Sequence, residues 1–128
     1  MKKILLATVA LLTACTSKPS AEQLASLAAQ GYYQHLVGGR YDEYLEGKAW
    51  SDSLPTDYRQ QLVVAYKHFM AKQQQDHRGV SDVRIMGAKS DTTLHQTNVF
   101  LVLCYGDSTS ETIVVPMVEQ GTGRWRMK

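Results

Sequence analysis

The sequence predicts an α+β domain in which about three N-terminal helices pack on a four-stranded antiparallel meander. Three observations lead there. Apolar residues recur at helical spacing from Ser20 to about His77, then at strand spacing from Val80 onward. The change falls at Gly79, directly behind His77-Arg78, and a glycine after a basic last turn is a helix stop. The extended segments are joined by short turn-rich pieces, Gly106-Asp107-Ser108 and Gln120-Gly121-Thr122-Gly123, which make sequential strands antiparallel neighbours.

The chain opens with Met1-Lys2-Lys3 and an uncharged apolar run from Ile4 to Ala14, the pattern of an export signal. The run is too short to remain as a membrane span, which needs roughly 17–25 apolar residues. Leu12-Thr13-Ala14-Cys15 resembles the lipobox of bacterial lipoproteins. That resemblance implies cleavage after Ala14 and a lipid on Cys15, with residues 1–14 as signal peptide, 15–19 as lipidated tether and 20–128 as the single domain. Two or three acyl chains, at ~0.8 kcal/mol per buried methylene, make a stable anchor. Thr16 follows the cysteine where enteric inner-membrane lipoproteins carry aspartate, so the resemblance implies the outer membrane, with the domain facing the periplasm.

Of the 14 basic residues the leader takes two, Lys2 and Lys3, leaving 12 against 12 acidic ones. A neutral chain without a basic stripe has no electrostatic footprint for nucleic acid. With Cys15 acylated, Cys104 is the one thiol left of two, so no intrachain disulfide forms.

Ser20 followed by Gln23 reads as a capping box that opens the first helix, and Gly38-Gly39 ends it. At 100° per residue Leu24, Leu27, Ala28, Gly31 and His35 share a face that is expected to turn inward, flanked by Tyr32 and Leu36. Arg40 to Glu46 suits a short second helix, and Gly47 to Pro55, with Trp50, reads as a loop. Thr56 or Asp57 is expected to cap the long third helix. Tyr58, Leu62, Ala65, Tyr66, Phe69 and Gln73 line one side of it, widened by Val63 and Met70.

Val80–Ala88, Thr97–Tyr105, Thr112–Glu119 and Arg124–Met127 read as the four strands. Val99 to Cys104 and Ile113 to Val118 are apolar on both faces. The helices cover one face, and a second copy, making a homodimer through the sheet, is the simplest cover for the other. Pro116 lacks a ladder N–H and belongs at a bulge or edge position.

Helices followed by such a meander resemble the nuclear transport factor 2-like superfamily of cone-shaped domains. The residue-level likeness lies in Val99 to Tyr105 with Gly106-Asp107, in Glu111 to Val118, and in Gly123-Arg124-Trp125-Arg126-Met127; Gly39-Arg40-Tyr41-Asp42-Glu43 adds a helix junction. These segments look like those of small Bacteroidetes-type lipoproteins of that superfamily. The resemblance implies a curled, cone-like sheet and leaves function open, because the superfamily holds enzymes, binders and interaction modules.

The chemical candidates are few. His68 and His77, nine residues apart, point to opposite sides of one helix, and no ligand spacing for a metal occurs; no cofactor is expected. Cys104 lies in the most apolar strand and reads as an inert thiol. Asp82 shares its strand with Arg84 at alternate spacing, as a solvated surface pair does. Trp125 reads as a core plug. His35 on the first helix's apolar face is either a satisfied core histidine or part of a pocket with Tyr32, Trp50 and Tyr66. The functional expectation is non-catalytic binding of a small apolar ligand or a protein partner beside the membrane. The alternatives are an isomerase- or dehydratase-like enzyme using the cone, and a dimerising interaction module with a filled cone.

Overall fold

The computed structural model describes residues 18–128; the leader and Cys15 lie outside them. Three helices, α1 (Ala21–Val37), α2 (Tyr41–Glu46) and α3 (Thr56–His77), precede four strands, β1 (Val80–Asp91), β2 (Gln96–Tyr105), β3 (Ser110–Glu119) and β4 (Trp125–Met127), with one 3-10 turn at Ser51–Ser53. The sheet is a meander in the order β1-β2-β3-β4, antiparallel throughout. The α+β class, the helix number and the strand order are those the sequence predicts. Among the described residues no helix is long and apolar enough to cross a membrane.

The capping box forms: Gln23 N–H donates to Ser20 Oγ at 3.2 Å and Ser20 N–H to Gln23 Oε1 at 2.9 Å. The inward face of α1 is not the predicted one. Ala25, Ser26, Ala29 and Leu36 are buried, whereas Leu24 and Leu27 are exposed and His35 is only half-buried. A helix lying on a twisted sheet approaches closely where its side chains are small, so the alanines win the interior and the leucines are left outside. α3 departs similarly. It starts at Pro55, with no side-chain cap from Thr56 or Asp57, and buries no residue fully. Leu62, Val63, Tyr66, Met70 and Gln73 are half-buried, while Tyr58, Ala65 and Phe69 face outward.

Strand alternation assigns the sheet's two faces. On β2, Thr97, Val99, Leu101, Leu103 and Tyr105 are buried; Gln96, Asn98, Phe100, Val102 and Cys104 alternate with them and are half-buried. Opposite the first set stand Val83, Val115, Met117, Trp125 and Met127, and with Ala25, Ala29, Leu36 and Tyr44 they make one continuous core. Leu101, Val99 and Met117 have no exposure at all. The inner face of the sheet is therefore filled by side chains. Register irregularities at Val80/Asp82 and Ile85/Gly87 mark bulges in β1, which add local twist and bend. Pro116 lies where β4 runs out, its carbonyl accepting from the Lys128 N–H at 2.9 Å, so its missing N–H costs the ladder nothing.

Gly47 fixes how the α2 loop meets the core. A Cβ there would lie 2.5 Å from the Tyr32 ring, whose hydroxyl is tied to the Trp125 carbonyl at 2.6 Å. Met127 N–H then donates to Gly47 O, and Ala49 N–H to Met127 O, both at 2.7 Å, so the loop lies along the outer edge of β4.

Candidate functional site

The four residues singled out as a pocket do not gather round one cavity. Tyr32 is used structurally, packing on Gly47 and donating to Trp125 O. His35 Nδ1 accepts from Arg40 Nε at 2.9 Å and stays at the surface side of α1. Trp50 is 42% exposed in its loop. Tyr66 meets Tyr44 edge-on at 4.9 Å, and Tyr44 meets Tyr33 edge-on at 5.5 Å, so three tyrosine rings tie α3 to α2 and α1. Burial pushes the Tyr33, Tyr44 and Tyr66 hydroxyls above their ordinary range, most strongly Tyr44, which keeps them neutral. Asp82 and Arg84 form an exposed pair at 2.9 Å, and Cys104 is a half-buried thiol on the outer face. Among the described residues no group of three or more His, Cys, Asp or Glu side chains is placed to hold a metal.

A polar cluster that sequence spacing did not reveal joins α3 to the β2–β3 turn. His77 Nδ1 is 3.0 Å from Asp107 Oδ2, and the His77 ring stacks on Tyr105 at 4.3 Å. Tyr105 Oη donates to Glu111 Oε2 at 2.7 Å. Asp107 also accepts from both the N–H and the hydroxyl of Thr109, and these bonds, with His77, hold its carboxyl down at about 2. Burial, with Glu111 beside it, raises the Tyr105 hydroxyl to about 12. The one signal in the sequence was Tyr105-Gly106-Asp107, and its members serve docking. Gly106 N–H donates to Gly79 O and Asp107 N–H to His77 O, and a Cβ on Gly106 would come within 2.4 Å of the Arg78 carbonyl oxygen. We expect Gly106→Ala to cost about 1–3 kcal/mol, as forced overpacking does, because the obstacle is backbone; urea unfolding measures it.

The depressed Asp107 carboxyl gives a pH prediction. A carboxylate held below its ordinary value of 3.8 contributes stability that is present above that value and disappears as pH falls towards about 2. Amide exchange at the end of α3 and in residues 106–109 is expected to accelerate between about pH 4 and 2 ahead of the core strands. An unchanged ratio of the two rates would show that Asp107 does not hold α3.

Among the described residues, two apolar surfaces beyond α3 are incompletely covered. The outer sheet face carries Phe100, Val102 and Cys104 of β2 beside Val114, Pro116 and Val118 of β3; Val114 is 55% exposed. The second surface is a cleft of about 620 Å3 between the start of α1 and β1. The cone interior, in contrast, is occupied by the core. A carboxylate does stand beside a tyrosine hydroxyl, Glu111 at Tyr105, but Glu111 is exposed at the rim.

No family model matches the sequence, and no curated protein does. Among solved structures, one from Campylobacter jejuni described as an NTF2-like transpeptidase is similar over 77% of this chain and 92% of that chain, with a TM-score of 0.60 at 12% identity. At that identity the likeness concerns the path of the backbone, and the three helices with their four-stranded antiparallel sheet follow it: the chain has the nuclear transport factor 2-like fold.

Proposed function

We propose that the chain is a lipoprotein, anchored through a lipid on Cys15 to the periplasmic side of the outer membrane, whose domain binds a protein partner without catalysing a reaction. The partner we assign first is a second copy of the chain, docked through the outer sheet face. The observation that carries this is the asymmetry of the sheet. Its inner face is filled by Leu101, Met117, Met127 and the small face of α1, while on the outer face Val114 is exposed and Phe100, Val102 and Val118 are only half-buried. A contiguous apolar patch of this kind on a folded domain is where association occurs, and a sheet face with a two-fold axis meets itself. The filled interior supports a protein partner over a small apolar ligand or an isomerase-like use of the cone.

Sedimentation equilibrium of the full chain in mild detergent is expected to give a dimer. A monomer at high micromolar concentration would refute the docking. Anchoring is tested separately: Cys15→Ala is expected to move the protein from the membrane to the soluble fraction and to lose the mass of the acyl groups. Retention at the membrane with unchanged mass would refute the lipid.

A further inference from the structure

The first half of α1 runs antiparallel to β1 while the helix lies across the inner face of the sheet, and two long-range hydrogen bonds join it to β1. Glu22 Oε1 accepts from the Ser90 N–H at 3.2 Å, and Gln30 Nε2 donates to the Val83 carbonyl at 2.9 Å. Between these clamps the helix and the strand part to leave the cleft of about 620 Å3, whose lining includes Pro19, Glu22, Gln23, Leu27, Ile85 and Ala88, with the Glu22 carboxylate engaged by the Ser90 N–H. Its lining is mainly apolar and its rim is wet. Leu27 is 60% exposed, and Leu24, one turn back on the same helix, and Ile85 are each 37% exposed. These are the leucines that the helical period assigned to the core.

Where the chain leads from this cleft names its occupant. Pro19 lines the mouth, and Cys15 is four residues upstream. At roughly 3.5 Å per residue a fully extended tether puts Cys15 no more than about 14 Å from Pro19. The interfacial layer on each side of a bilayer is itself about 5–8 Å deep. A lipid on Cys15 therefore leaves the cleft within about a nanometre of the headgroups, with Leu24 and Leu27 exposed beside them. Lys18, exposed at the same end, is placed to meet lipid phosphates.

We propose that the cleft, with Leu27 and Ile85 in its lining and the exposed Leu24 one turn back on α1, is a membrane-contact face that seats in the bilayer interface and fixes the orientation of the domain. The proposal rests on lipidation of Cys15. Side chains of this kind bury some 5–10 Å into the headgroup boundary when an amphipathic surface lies on a membrane. The outer sheet face lies on β2 and β3, away from the α1–β1 edge, and stays free for docking.

The test uses the full lipidated chain in phosphatidylethanolamine–phosphatidylglycerol vesicles containing a lipid with a doxyl quencher near the headgroup. An environment-sensitive fluorescent amino acid replaces Leu27 or, as control, Ser108 in the β2–β3 turn at the far end of β2. Quenching is expected to be several-fold stronger at 27 than at 108, and Leu24→Glu is expected to bring position 27 down towards the control. Mass spectrometry of the same sample reads the Cys15 lipid. Absence of the lipid overturns both the anchor and the contact face. A lipidated chain with equal quenching at the two positions overturns the contact face alone. Blue-shifted but unquenched emission at 27 also overturns it, since the cleft would then be filled by the protein's own acyl chain or by a peptide added to β1.

Discussion

Leu101→Ala is expected to destabilise the domain by about 2–5 kcal/mol, the range for truncating a large aliphatic side chain in a packed core. Leu101 has no exposure, sits at the centre of β2 opposite Ile85 and Ile113, and belongs to the core that α1 closes. Native domains hold only about 5–15 kcal/mol in total, so the loss is a large share of the whole. A shift of the urea midpoint with an unchanged slope is the expected signature. The inner-face assignment also predicts a contrast. Val114→Ala, one residue along β3 from Leu101's partner Ile113 but on the other face, should change stability by less than about 0.5 kcal/mol, the usual limit for surface substitutions. Similar losses for both would mean that the outer face is covered within the monomer.

Val114→Lys carries the second large effect. At a docked sheet face it places a charge in the middle of an apolar interface, beside Phe100 on β2. Central interface residues cost about 2–4 kcal/mol when disrupted, which weakens association roughly 30- to 1,000-fold. The same side chain in the monomer simply points to water, so the thermal midpoint measured at low protein concentration should barely move. Sedimentation equilibrium across a concentration series reads the first quantity and calorimetry the second. A dimer that survives Val114→Lys unchanged would place the docking surface elsewhere.

What the sequence disclosed follows from the range of the interactions concerned. The capping box at Ser20 and Gln23, the stop at Gly79 and the hairpin turns are local, and each is where the pattern put it. The strand pattern in β2 was legible because alternation gives the face directly. The inward face of α1 was not, since periodicity ranks positions by hydrophobicity while close helix-on-sheet packing selects for size, and Ala25 and Ala29 displaced Leu24 and Leu27. The exposure of Tyr58 and Phe69 on α3 has the same origin: a long helix that touches the body along one line cannot bury a wide stripe. The pairing of His77 with Asp107 spans 30 residues, and the contacts of α1 with β1 span 53 and 68, so no local spacing announces them. Of the residues proposed as a pocket, Tyr32 and Tyr66 proved to be structural cross-links, His35 a partner of Arg40, and Trp50 an exposed loop residue. Spacing on a helix shows which residues share a side, and the depth of that side is set by other elements.

The positions of Glu22, Gln30 and the loop at Gly47–Ala49 have a consequence for strand addition. A four-stranded meander has two outer strands, and each is a template on which other chains can polymerise. Here one is guarded by helix side chains that take up the Val83 carbonyl and the Ser90 amide, and the other by a stretch of loop that consumes the amide and carbonyl of Met127. With these groups on both margins taken up by the molecule's own atoms, the ribbon offers fewer free positions for strand addition.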